Sequence, residues 1–236
     1  MSRCTEMIQE DKHDSSGIAR SNRMGGMGTG MTENKDKIIL DLCGGTGSWS
    51  RPYKEAGYDV RVITLPEYDV RTYNPPEHVY GILAAPPCTE FSVAKGSKPR
   101  DFVHAMHIVS ACLDIIWVCR MSGSLKFWAM ENPVGFLRQF IGVPAYQFEH
   151  WEFGDPQLKR TDLWGYFNPP RKTVKVKPEN LTRKYGSRTN GRGWSKPECP
   201  PEYEAYISRF HGDAKRAALR AITPPGFAQA FFRANS

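Results

Sequence analysis

Apolar positions along this chain come in short unbroken runs that end abruptly at glycine or proline, and four of them read as buried strands. They are Lys37–Leu42 (KIILDL), Asp59–Leu65 (DVRVITL), Tyr80–Ala85 (YGILAA) and Leu125–Pro133 (LKFWAMENP). Proline ends a ladder because it has no N–H to donate. Between the runs the spacing becomes helical. SWSRPYKEAGY predicts a short helix closed by Gly57. A longer helix is predicted from about Arg100 to Cys119, with Phe102, Met106, Val109, Leu113 and Ile116 three or four residues apart. Strands alternating with helices predict an α/β fold: a mainly parallel sheet covered by helices on both faces.

The pattern divides the chain. Residues 1–35 are polar, rich in Gly, Ser and Met, and aperiodic, which predicts a disordered tail. Residues 36–168 carry the strand–helix alternation. Residues 169–203 form a small basic region: nine Lys or Arg stand between Arg171 and Pro200 against two Glu. Residues 204–236 return to helical composition and are expected to pack back on the sheet.

Composition adds little to the fold but narrows the setting. A net charge of +7 over 236 residues points to a polyanionic partner. The six cysteines (4, 43, 88, 112, 119, 199) contain no C-x-x-C pair, which suits a reduced cytosolic protein better than a disulfide framework or a zinc site. The first thirty residues lack the apolar centre of a secretory leader. The most apolar window, Phe102–Cys119, contains His104, His107 and Asp114 and reads as a buried helix rather than a bilayer span. A cytoplasmic protein is expected, most simply a monomer.

Three strand ends carry candidate chemistry. Asp41 to Trp49 (DLCGGTGSW) is a Gly-rich turn between a first strand and a helix, where backbone can approach a ligand. It lacks the dinucleotide G-x-G-x-x-G and the P-loop Lys-Ser/Thr. Its D-x-x-x-G-x-G form suits a nucleoside-bearing cofactor such as S-adenosylmethionine. Cys88, just past Pro86-Pro87, lies where open α/β sheets bind ligands. Glu131, in the next strand end (MENP), could reach one small planar ligand together with that thiol. Asp69, at a further turn, could accept from an exocyclic amine.

In order and spacing these pieces resemble the DNA cytosine-5 methyltransferases over about residues 37–235. The matching stretches are DLCGGTGSW, Asp69-Val70, APPCTEFS, ENP, GDPQLKRTDLWG and TPPGFAQAFFRAN. The resemblance implies a Rossmann-like S-adenosylmethionine-dependent methyltransferase fold with a small basic target-recognition lobe. It implies methyl transfer to carbon-5 of a flipped cytosine in double-stranded DNA, with S-adenosylhomocysteine as product. Cys88 would be the nucleophile and Glu131 the residue holding the base. Pro87, Asn132, Gln157, Lys159, Arg160, Arg188 and Arg192 would contact substrate. Asp41, Cys43, Gly45, Thr46, Gly47, Asp69, Val70, Pro86 and Ala228 would contact cofactor, and no metal is implied.

The chain departs from the family pattern in three places. Thr64-Leu65-Pro66 stand where an acid usually holds the ribose, with Glu67 slightly late. Lys159 and Thr161 replace the two arginines that follow the Gln. Phe227 replaces an Asn after Gly226. An amino-methyltransferase is disfavoured, because its motif has an aromatic residue where Cys88 stands. An RNA substrate for the same chemistry, and a non-catalytic DNA-binding relative, remain as alternatives.

Overall fold

The computed structural model describes residues 33–179, 181 and 199–236. Most of the tail, most of the basic region, and Arg188 and Arg192 with it, lie outside the described residues. Residues 33–36, inside the stretch read as tail, form a turn whose Asn34 donates to the Ala56 carbonyl (3.0 Å).

Six strands form one sheet: β1 (Ile38–Leu42), β2 (Asp59–Ile63), β3 (Val79–Ala84), β4 (Phe127–Pro133), β5 (Tyr146–Glu149) and β6 (Arg160–Tyr166). Their order is β2-β1-β3-β4-β6-β5. β1 pairs in parallel with β2 and β3, and β3 with β4, while β6 runs antiparallel between β4 and β5. Five strands therefore point one way and β6 the other. The mainly parallel α/β sheet expected from the alternation is present, and it is consistent with a Rossmann-like fold.

Period-two alternation on the strands sorts their side chains into two apolar layers. Leu40, Leu42, Ile82, Ala84 and Met130 face α2 (Phe102–Met121). Ile39, Leu83, Phe127, Ala129 and Leu163 face α1 (Arg51–Glu55) and α6 (Pro225–Ala234). α2 is long and apolar enough to cross a membrane by length and composition, yet it lies against the sheet. Its buried stripe is Ala105, Val109, Cys112, Ile115, Ile116 and Cys119. The predicted stripe differs: Phe102, Met106 and Leu113 are only partly buried, because small residues let the helix seat closely and push the larger ones to its flanks.

The remaining helices are α3 (Arg138–Ile141), α4 (Glu204–Ile207) and α5 (Gly212–Ala221). α6 packs its aromatic face on the sheet. Phe227 stacks on Phe148 at 4.2 Å between centroids, beside Trp49 and Phe153. A Cβ on Gly226 would lie 1.9 Å from the Phe153 carbonyl, so only glycine admits that approach.

Candidate active site

Strand order reverses between β1 and β3, because β2 lies to one side of β1 and β3 to the other. In open α/β sheets the crevice at such a switch point, beyond the carboxyl ends of the strands, is where ligands bind. The glycine turn after β1 and the Pro-Pro-Cys loop after β3 flank it, joined by a bond from the Ala85 amide to the Leu42 carbonyl (2.9 Å).

The turn is built around a buried carboxylate. Asp41 is wholly shielded, and Ser50, just before α1, donates to its Oδ2 (2.6 Å). Its Oδ1 has no hydrogen-bond partner. Burial raises its pKa from 3.8 to about 6, with the Ser50 bonds opposing. A Cβ on Gly44 would meet this carboxyl group at 2.3–2.6 Å, and Gly45 and Gly47 have φ of +55° and +68°. Cys43 also has positive φ (57°), and it packs against the apolar layer that includes Cys112 of α2. Thr46 is half-buried on the turn.

Cys88 belongs to none of the apolar clusters and is half-buried. Its carbonyl accepts from the amides of Phe91 (3.1 Å) and Ser92 (2.8 Å), which curls the chain back beneath the thiol. Burial pushes the Cys88 thiol pKa up. Lys159 pulls it down, Glu131 raises it and Arg220 lowers it. Lys159 Nζ stands 3.4 Å from Glu131 Oε1, with both side chains about one-fifth exposed. Asn132 is fully buried and donates to the Pro86 carbonyl (3.0 Å), which ties the end of β4 to the cysteine loop. Pro87 is exposed beside it.

Other predicted residues sit elsewhere. Arg160 begins β6, is exposed, and donates to Gln147 (3.3 Å), so Lys159 is the cation at Glu131. Gln157 is half-buried with a shielded, unpartnered Oε1. Asp69 is held in a fork by Arg71 (2.9 and 2.5 Å), which lowers its pKa to about 2. Val70 and Ala228 are buried among core side chains. Glu67 accepts from Arg209 (2.9 Å).

Sequence reasoning passed over Arg220 and Tyr206. Both lie in a segment without a strand-end signal, and only the fold returns that segment to the crevice: the Thr223 amide donates to Ser48 Oγ (2.8 Å). Two hollows of about 160 and 220 Å³ open at the opposite end of the sheet, around Phe127 and Tyr166, away from this chemistry.

No protein-family model matches the chain, and no curated protein matches it. Among solved structures it is similar to a methyltransferase of Entamoeba histolytica, at 10% identity and a TM-score of 0.34. The match covers 66% of this chain and 62% of that one, so the chain spans less than two thirds of its neighbour's length.

Proposed function

We propose that the chain transfers a methyl group from S-adenosylmethionine to carbon-5 of a cytosine swung out of duplex DNA. One observation supports this reading above the others. A thiol from the loop after β3 and a carboxylate from the end of the adjacent parallel strand β4 stand at the same carboxyl edge of the sheet, where Asn132 ties the two strand ends together and Lys159 meets the carboxylate. The six matching motifs, in family order, give the same roles to Cys88 and Glu131.

The glycine turn fits the cofactor. The unpartnered Asp41 oxygen lacks a donor that an ammonium group provides, and the positive-φ glycines add no side chain of their own to the turn. S-adenosylmethionine, when bound, supplies an electrophilic methyl group. Cys88 does the preparatory work. Its thiolate forms a bond to ring carbon-6, and the electron pair displaced from the 5,6 double bond enriches carbon-5. Glu131 accepts from the exocyclic amine and, through a protonated oxygen, donates to N3 as charge builds on the ring. Lys159 keeps Glu131 oriented and offers a cation to the base's exocyclic carbonyl oxygen. Once carbon-5 carries the methyl group, loss of its proton to a base returns the electron pair to the 5,6 bond, and the carbon–sulfur bond breaks to release the thiolate. The target carbon is out of reach within a stacked duplex, so the base is extruded. Exposed Arg171, Lys175 and Lys177 supply phosphate contacts, which position the duplex without specifying its sequence.

Duplex DNA containing 5-fluorocytosine tests the reading, because fluorine cannot leave as a proton does and the thioether persists. With S-adenosylmethionine present, a covalent adduct is expected on the peptide containing Cys88 and is absent in Cys88→Ala. An adduct at Cys43 or Cys199 overturns the assignment. Preferential labelling of transfer RNA over the duplex moves the substrate to RNA.

A further inference from the structure

The C-terminal segment carries a small apolar cluster of its own. Tyr203, Ile207, Leu219 and Ile222 are buried together, with Tyr206 and Ala218 packed against them. These side chains belong to neither layer flanking the sheet. Polar ties hold the unit in place: Arg51 to Glu202 (2.7 Å), Arg209 to Glu67 (2.9 Å) and the Thr223 amide to Ser48 (2.8 Å). They connect it to α1, to the loop after β2 and to the end of the glycine turn, and so bring α4 over the crevice.

Tyr206 is the side chain that reaches the turn. A Cβ built on Gly45 would lie 3.6 Å from its hydroxyl oxygen and 3.9 Å from its ring. The ring is braced by Phe210 (5.2 Å) and by the Arg209 guanidinium (5.3 Å). The phenol is half-buried, and its hydroxyl makes no hydrogen bond among the described residues. A braced ring with an idle hydroxyl, directly above a bare glycine, is a ready donor to whatever lies in the turn.

We infer that Tyr206 is a cofactor-binding residue whose hydroxyl donates to the carboxylate of the cofactor's amino-acid end. The inference rests on the cofactor reading above. The amino-acid end is favoured because the unpartnered Asp41 oxygen lies under Gly44, one residue from Gly45. An ammonium drawn toward Asp41 places its neighbouring carboxylate beside Gly45 and beneath Tyr206. That carboxylate needs a donor there. Glu67 cannot serve, because it is itself an acceptor and already engages Arg209.

Calorimetric titration of the full chain with two ligands tests this. S-adenosylhomocysteine carries the amino-acid end, and 5′-deoxy-5′-methylthioadenosine lacks it. Tyr206→Phe keeps the ring and its packing, so folding is preserved. It should weaken S-adenosylhomocysteine by about tenfold, the scale of a hydrogen bond to a charged group, and leave methylthioadenosine unchanged. If the Phe variant binds both ligands as the parent does, or loses both equally, the assignment fails while the cofactor reading stands. If Tyr206→Ala weakens both ligands and Tyr206→Phe neither, the ring is the contact and the hydroxyl assignment is wrong. If the parent chain binds neither ligand, the cofactor reading falls, and this inference falls with it.

Discussion

At the scale of single residues, burial raises the pKa of both Cys88 and Asp41, with opposite prospects. Around Cys88 the charges of Lys159 and Arg220 oppose burial, while Glu131 adds to it. The thiolate therefore appears only as pH rises past the ordinary thiol range. Lys159→Gln should move the alkaline limb of iodoacetamide alkylation at Cys88 further up, and Glu131→Gln should move it down. Limbs that stay put in both variants would mean that neither charge faces the sulfur. For Asp41 the folded-state pKa of about 6 lies above the unfolded 3.8, so the folded chain binds the extra proton between them. Its contribution to stability is intact below about pH 4 and is lost as pH climbs to about 6, to the extent of about 3 kcal/mol at most. Urea unfolding of Asp41→Asn against the parent should show the variant gaining ground across that window and holding it above. A difference independent of pH would contradict the burial argument.

Phe227 shows what the element scale adds. By motif it stands where an Asn is usual, and the sequence offers no reason for the change. The structure does: α6 drives this ring into a stack with Phe148, between Trp49 and Phe153. Phe227→Asn, although it brings the motif closer to the family's, should cost about 3 kcal/mol or more in chemical denaturation, as other large-to-small core changes do. Gly226→Ala should be comparably harmful, because its Cβ would meet the Phe153 carbonyl at 1.9 Å. A wild-type midpoint in either variant would show that α6 is not seated as described. The same contrast explains how much was legible in advance. β1 to β4, α1 and α2 are bounded by local breakers and carry local periodicity, so they could be read directly. β5 and β6 could not, because inserting β6 antiparallel between β4 and β5 is a long-range pairing decision with no local mark. Cys88 and Glu131 were legible because each follows an apolar run. The choice between Lys159 and Arg160 depended on where β6 starts, which turns Arg160 toward Gln147. Tyr206 depended on a return of the chain that only the packing reveals.

At the scale of the whole molecule, two large apolar layers grip the sheet, while the segment bearing α4 and α5 has a small apolar cluster of its own and polar ties to the rest of the described residues. Of those ties, Arg51–Glu202 and Arg209–Glu67 are largely exposed. Exposed ion pairs each contribute only about 0–1 kcal/mol. Opening this segment should therefore take much less free energy than unfolding the sheet, and it should occur as a unit. Native-state hydrogen exchange is expected to show amides of α4 and α5 exchanging together, well before those of β1, β3 and β4. Arg209→Ala should hasten exchange in α4 and α5 and leave the sheet's rates alone. If Tyr206 holds the cofactor, S-adenosylhomocysteine should slow the segment's exchange by the factor its binding to the closed form supplies, and Tyr206→Phe should reduce that protection. Exchange of α4 and α5 in step with the sheet would mean the segment is part of the global core. The crevice would then fill and empty by some route other than its opening.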